Sequence, residues 1–90
     1  MASSRKQRTA LDRVLESLSR CFDASTARAV SELRQDAFVQ RRMEKLGAKA
    51  TSGRLSPRER DEYEALVEMS DIVATLQLKA RRRLAGLQPA

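Results

Sequence analysis

Lys79-Ala80-Arg81-Arg82-Arg83 is the densest run of cations in the chain. Side chains of that type and spacing recognise a phosphate or an acidic protein surface. Arg41, Arg42, Lys45 and Lys49 recur at helical intervals and make a second basic face, and Arg5, Lys6 and Arg8 make a third group near the start. No aromatic residue is interleaved with Arg5, Lys6 and Arg8, so nothing there stacks on bases and any nucleic-acid contact by that arm would be with a backbone. The carboxylates offer less. Glu64 and Glu68 share one helix face at i and i+4, but they lack a histidine or a third carboxylate to complete a metal site. The chain has no histidine, its one cysteine is Cys21, and its three glycines stand apart at positions 47, 53 and 86, where they form no phosphate loop. Cys21 reads as a small helix-face hydrophobe and Tyr63 as a packing residue with its hydroxyl at the surface. The expectation is therefore a protein that binds rather than catalyses, with no cofactor and no metal.

Those residues need elements to hold them, and the longest is written most clearly. Ser56 is an N-cap, Pro57 stands at the first helical position, and Glu59 completes a capping box of the S-x-x-E type. The spacing predicts one helix over about 57–85, with Gly86 and Pro89 as stop signals. Upstream, Thr9 and Asp12 make a cap pair for a helix over about 10–21, whose apolar face carries Leu11, Leu15, Leu18 and Phe22. Asp23 caps a second helix over 24–34 with a narrow stripe of Ala27, Val30 and Leu33. Asp36 caps a third over 37–52 with Phe38, Val39, Met43, Leu46 and Ala50, ending where Gly53 can take the left-handed C′ conformation. The connection Gly53-Arg54-Leu55 is short enough to fold the third helix back on the fourth as an antiparallel hairpin. Residues 1–8 read as a flexible basic tail, 9–87 as a single helical domain, and 88–90 as a short tail. No strand is predicted.

On a helical wheel, Leu66, Met69, Val73, Leu76, Ala80, Leu84 and Leu87 form the core face of the long helix. Ala65 and Ile72 widen it on one flank and Tyr63, Val67, Ala74 and Leu78 on the other, so the apolar arc covers well over half the circumference. The polar wedge that remains runs along Glu64, Glu68, Asp71, Thr75 and Lys79. Ser70 and Gln77 lie inside the arc, where burial would oblige them to find partners. A lone small domain needs an apolar stripe only about 100° wide or somewhat more. The fold class expected is all-α: a small bundle of about four helices with one long C-terminal helix, oligomeric or bound to a partner.

From Leu55 to Leu84 the chain resembles small, uncharacterised bacterial helical proteins, many of them planctomycete, in which L-[ST]-P-x-E opens a helix that continues as E-Y-E-x-x-V and then L-Q-x-K-A-R-x-x-L. The matching residues are Leu55, Ser56, Pro57 and Glu59, then Glu62, Tyr63, Glu64 and Val67, then Leu76, Gln77, Lys79, Ala80, Arg81 and Leu84. Genes of that family often lie beside one for an HNH-type or similar nuclease. The resemblance implies an accessory or antitoxin-like protein that docks on a nuclease or related effector. Among the matched positions, Tyr63, Gln77, Lys79 and Arg81 have no evident core duty and are implied contacts.

The first functional reading is thus a non-enzymatic helical interaction protein that meets its partner through Tyr63, Val67, Ile72, Leu76, Gln77, Lys79 and Arg81. The partner is an effector such as an HNH-type nuclease, or a second copy of the chain. The alternative is a small nucleic-acid binder contacting phosphates through Arg5, Lys6, Arg8, Arg41, Arg42, Lys45, Arg82 and Arg83. Its helix-turn-helix form would use Gln40, Arg41 and Arg42 at the start of the third helix, although no convincing turn precedes them. No apolar run approaches the roughly 20 residues that span a bilayer, and the expected location is the cytoplasm.

Overall fold

The computed structural model describes residues 2–87, with side chains from Arg8 onward. Every regular element among them is helical: α1 (Ala2–Arg20), α2 (Ala24–Glu32), α3 (Ala37–Thr51) and α4 (Pro57–Leu87). The all-α class is shown. The single helical domain expected over 9–87 resolves into two compact units, one built from residues up to Leu33 together with Val73 onward, the other from Arg34–Ile72.

α1 starts at Ala2, eight residues ahead of the expected start near 10, so the stretch read as a flexible tail is helical and Thr9 and Asp12 do not cap the helix. Met1 and the 88–90 tail lie outside the described residues, as do the side chains of Arg5 and Lys6. α2 ends two residues early, at Glu32, and α4 runs two residues further, to Leu87. The remaining boundaries follow local chemistry. Asp23 accepts from the Thr26 N–H at 2.7 Å and Asp36 from the Phe38 N–H at 2.8 Å, each satisfying an otherwise orphaned donor of a first turn. At the end of α3, Gly53 sits at φ +70°. The Arg54 N–H then reaches Lys49 O at 2.9 Å and the Gly53 N–H reaches Ala50 O at 3.1 Å, which is the Schellman pairing. α4 opens with the reciprocal box: the Glu59 N–H donates to Ser56 Oγ and the Ser56 N–H to Glu59 Oε1, both at 3.1 Å.

In the second unit α3 and the first half of α4 form the expected antiparallel hairpin. Lys49 near the end of α3 meets Glu59 near the start of α4, while Met43, earlier in α3, meets Ser70 later in α4. Leu46 is fully buried there, and Gly47 brings the α3 backbone alongside the Tyr63 ring edge. Phe38, expected in this core, is 70% exposed, and its neighbour Val39 in the same first turn takes the half-buried position.

In the first unit the core cluster is Phe22, Ala27 and Ala80, with Val30, Leu76 and Leu84 packed against it. α2 runs antiparallel to the second half of α4: Phe22 lies by Arg83, Ala27 packs in the cluster with Ala80, and the end of α2 lies by Gln77. α1 runs in the same direction as α4, with Asp12 and Glu16 at Lys79 and the residues beyond α1 at Arg83.

Candidate functional site

Three polar side chains of α4, spaced so that they project to its packed side, do the holding in the first unit. Gln77 donates from its amide nitrogen to Leu33 O at 2.6 Å, just past the end of α2, and to Val30 O at 3.2 Å, which also accepts from the Leu33 N–H. Lys79 is only 8% exposed, and its ammonium sits 2.8 Å from Glu16 and 3.1 Å from Asp12. Arg83 donates through Nε to Phe22 O at 3.0 Å, in the turn that follows α1. Each therefore fastens a different piece of chain to α4.

Lys79 was placed by the wheel in a solvated wedge, yet it is among the least exposed residues of the helix. A buried ammonium needs compensating charge, and α1 supplies it with two carboxylates one turn apart. The hydrogen bond to Lys79, with its charge, holds the Glu16 carboxyl below the usual carboxylate range. The Glu16 hydrogen bond in turn raises the ammonium pKa of Lys79, outweighing the opposite effect of burial.

α1 presents these carboxylates to α4. Its inward side is Asp12, Leu15, Glu16 and Ser19, of which Leu15 and Ser19 are buried. Its apolar residues Leu11, Val14 and Leu18 are 37%, 62% and 47% exposed. The expected apolar face of Leu11, Leu15, Leu18 and Phe22 is thus only half used: Leu15 and Phe22 are buried, while Leu11 and Leu18 are exposed. Cys21, expected as a packed hydrophobe, is exposed just past the helix and its thiol donates to Ser17 O at 3.6 Å. Leu33, expected in the α2 stripe, is exposed beyond the end of that helix.

In the second unit the basic face of α3 divides. Arg42 forks onto Glu62 with two bonds of 2.8 Å, and Lys49 meets Glu59 at 2.6 Å. The fork raises the Arg42 pKa and lowers that of Glu62. Glu59, held by Lys49 and then by the Ser56 N–H of its own capping box, is brought down to about 2. Both cations are engaged within the hairpin, which leaves Arg41 and Lys45 exposed on the other side of α3. Ser70 is half-buried and partnered, accepting from Gln35 Nε2 at 3.3 Å and donating toward Met43 Sδ at 3.3 Å.

Of the residues expected to meet a partner, Tyr63, Ile72 and Leu76 are half-buried, Gln77 and Lys79 are engaged internally, and Val67 and Arg81 are exposed. Of the expected phosphate contacts, Arg8, Arg41, Lys45 and Arg82 are exposed, while Arg42 and Arg83 each hold a bond within their unit. The row Leu11, Val14 and Leu18 and the cation Arg20 had no place in either expectation. Their i, i+3, i+7 spacing was readable, but the pairing of α1 with Lys79, more than sixty residues away, was not.

Among the described residues no three His, Cys, Asp or Glu side chains gather as a metal site, and no helix is long and apolar enough to cross a membrane. No protein-family model, curated protein or solved structure matches the chain.

Proposed function

We propose that this chain is a non-enzymatic helical interaction protein, and that the outward row of α1 is where a partner sits. The observation that carries the reading is the orientation of α1. Leu11, Val14 and Leu18 stand exposed in a continuous row while the same helix turns carboxylates inward. A contiguous exposed apolar row of this kind is characteristic of interaction surfaces, and its spacing fits a helix laid into or along it. The contact surface is thus moved from α4 to α1, since Gln77 and Lys79 are occupied within the unit.

The likeness to small bacterial proteins encoded beside nucleases makes an HNH-type nuclease or related effector the first partner to test. The chain would then regulate or assemble it as an antitoxin-like or accessory subunit. The experiment is the light-scattering mass of the full chain co-expressed with such a neighbour, at low and high salt. A complex of defined mass that survives high salt, and that is lost in Val14→Asp/Leu18→Asp with helicity unchanged by circular dichroism, supports the reading. Retention of the complex by that variant would move the interface off α1, and failure to form any complex would remove the effector as partner.

A second reading, direct contact with nucleic acid, is favoured by the cations that stay exposed: Arg8, Arg41, Lys45, Arg81 and Arg82. Binding of that kind weakens steeply with salt because each phosphate contact releases counterions.

A further inference from the structure

Inside the first unit, α1 and the end of α4 enclose an open cleft of about 270 Å³ whose lining includes Ser19, Arg20, Arg82, Arg83 and Gly86. Lys79 and Glu16 form its floor. The charges there do not balance. Lys79 is matched by Asp12 and Glu16, whereas Arg20 reaches Glu16 only at 4.0 Å, and Arg82 and Arg83 have no carboxylate within ion-pair distance among the described residues. Folding therefore brings three arginines from two helices to the lining of one cleft, with the local carboxylates already committed. We infer that this cleft is an oxyanion site that takes a phosphate group.

Arg83 is its anchor. The bond from Nε to Phe22 O fixes the plane of the guanidinium, and its two terminal nitrogens make no hydrogen bond among the described residues. A guanidinium held in this way has already lost much of the freedom that binding would remove, and its terminal nitrogens suit tetrahedral oxygens. Arg20 from α1 and Arg82 from α4 are exposed at the rim and supply the additional donors. Gly86 borders the cleft in open space, where an added Cβ would meet nothing within 4 Å. No aromatic side chain lines the cleft, so the group recognised is the phosphate and not a base. The inference does not depend on the interaction surface of α1, whose Leu11, Val14 and Leu18 do not line the cleft.

The test follows the arginine Nε–H signals of the ¹⁵N-labelled full chain while inorganic phosphate replaces chloride at constant ionic strength. The signals of Arg20, Arg82 and Arg83 should move together with one dissociation constant, while that of Arg41 stays in place. Arg20→Gln/Arg82→Gln, which alters only exposed side chains, should weaken the effect by about tenfold or more, as the loss of charged hydrogen bonds implies. Equal movement at Arg41, or a dissociation constant unchanged in the variant, would overturn the site. A second titration with a short DNA duplex identifies the source. Competition between duplex and phosphate for the three arginine signals assigns the site to a polynucleotide backbone. Phosphate binding without such competition assigns it to a free phosphate or monoester.

Discussion

Lys79 Nζ lies 2.8 Å from Glu16 Oε2, a pair flanked on α1 by the buried Leu15 and Ser19. The two residues are 63 positions apart, so neither helix read alone reveals the pairing. Val14, on the same helix, is left outside.

Removing the carboxylate tests that pair. Glu16 titrates below its ordinary value of 4.5 because Lys79 holds its charged form. A depressed carboxylate adds stability that is present above its unfolded pKa and is lost as pH falls through the folded one. Glu16→Gln should therefore lower the melting temperature by a few degrees at neutral pH, with the deficit closing as pH drops below 4.5 in thermal melts followed by circular dichroism.

Glu59 gives a second acid-dependent contribution in the other unit. Its carboxyl is brought down to about 2 from 4.5 by Lys49 and the Ser56 N–H. The sign is the same, and the contribution fades as pH falls from 4.5 toward 2. Glu59→Gln keeps an acceptor for the capping box while removing the ion pair. The variant should be less stable than the parent at neutral pH and match it below pH 2 in urea titrations.

Gln77→Leu should cost about 1 kcal/mol, the usual net worth of a hydrogen bond. The loss should be local. Hydrogen exchange should quicken at the last amides of α2, whose carbonyl end the Gln77 amide closes, and change little in α3.

The two hairpin glycines should respond in opposite directions. Gly53→Ala places a side chain at φ +70° and should destabilise by about 1 kcal/mol from conformation alone, since nothing lies within 4 Å. Gly47→Ala adds a Cβ 3.5 Å from the Tyr63 hydroxyl, an ordinary contact, and should stabilise the helix by about 0.5–1 kcal/mol. Chemical denaturation of the two variants reads both signs.

Features that need only a few neighbouring residues were legible in the sequence. The Ser56–Glu59 box, the left-handed Gly53, the caps Asp23 and Asp36 and the hairpin they frame all follow from residues within a turn or two of each other. Features set by distant partners were not. The wheel of α4 placed Lys79 in the polar wedge because it could not see Asp12 and Glu16, and the spacing of α1 placed Leu11 and Leu18 on a packed face although they are exposed. Gln77 was an intermediate case: its position inside an apolar arc showed that a buried amide would need partners there, while the carbonyls that serve it became visible only with α2 in place. The candidate phosphate cleft needed both helices, since Arg20 and Arg83 share no local pattern.

The contacts of the two units also differ in how much chain they enclose. Lys49 to Glu59 closes 10 residues and Arg42 to Glu62 closes 20, whereas Gln77 to Leu33 closes 44 and Arg83 to Phe22 closes 61. Loop-closure entropy makes the long closures costlier by roughly 1–1.5 kcal/mol each. The closures within the α3–α4 hairpin are therefore the cheaper ones to make, and those of the first unit the dearer. During synthesis α1 emerges well before its counter-ion, because Lys79 follows Glu16 by 63 residues. Throughout that interval both sides of α1 are bare, and a protein that covers Leu11, Val14 and Leu18 would act as a chaperone for the nascent chain before it acts as anything else.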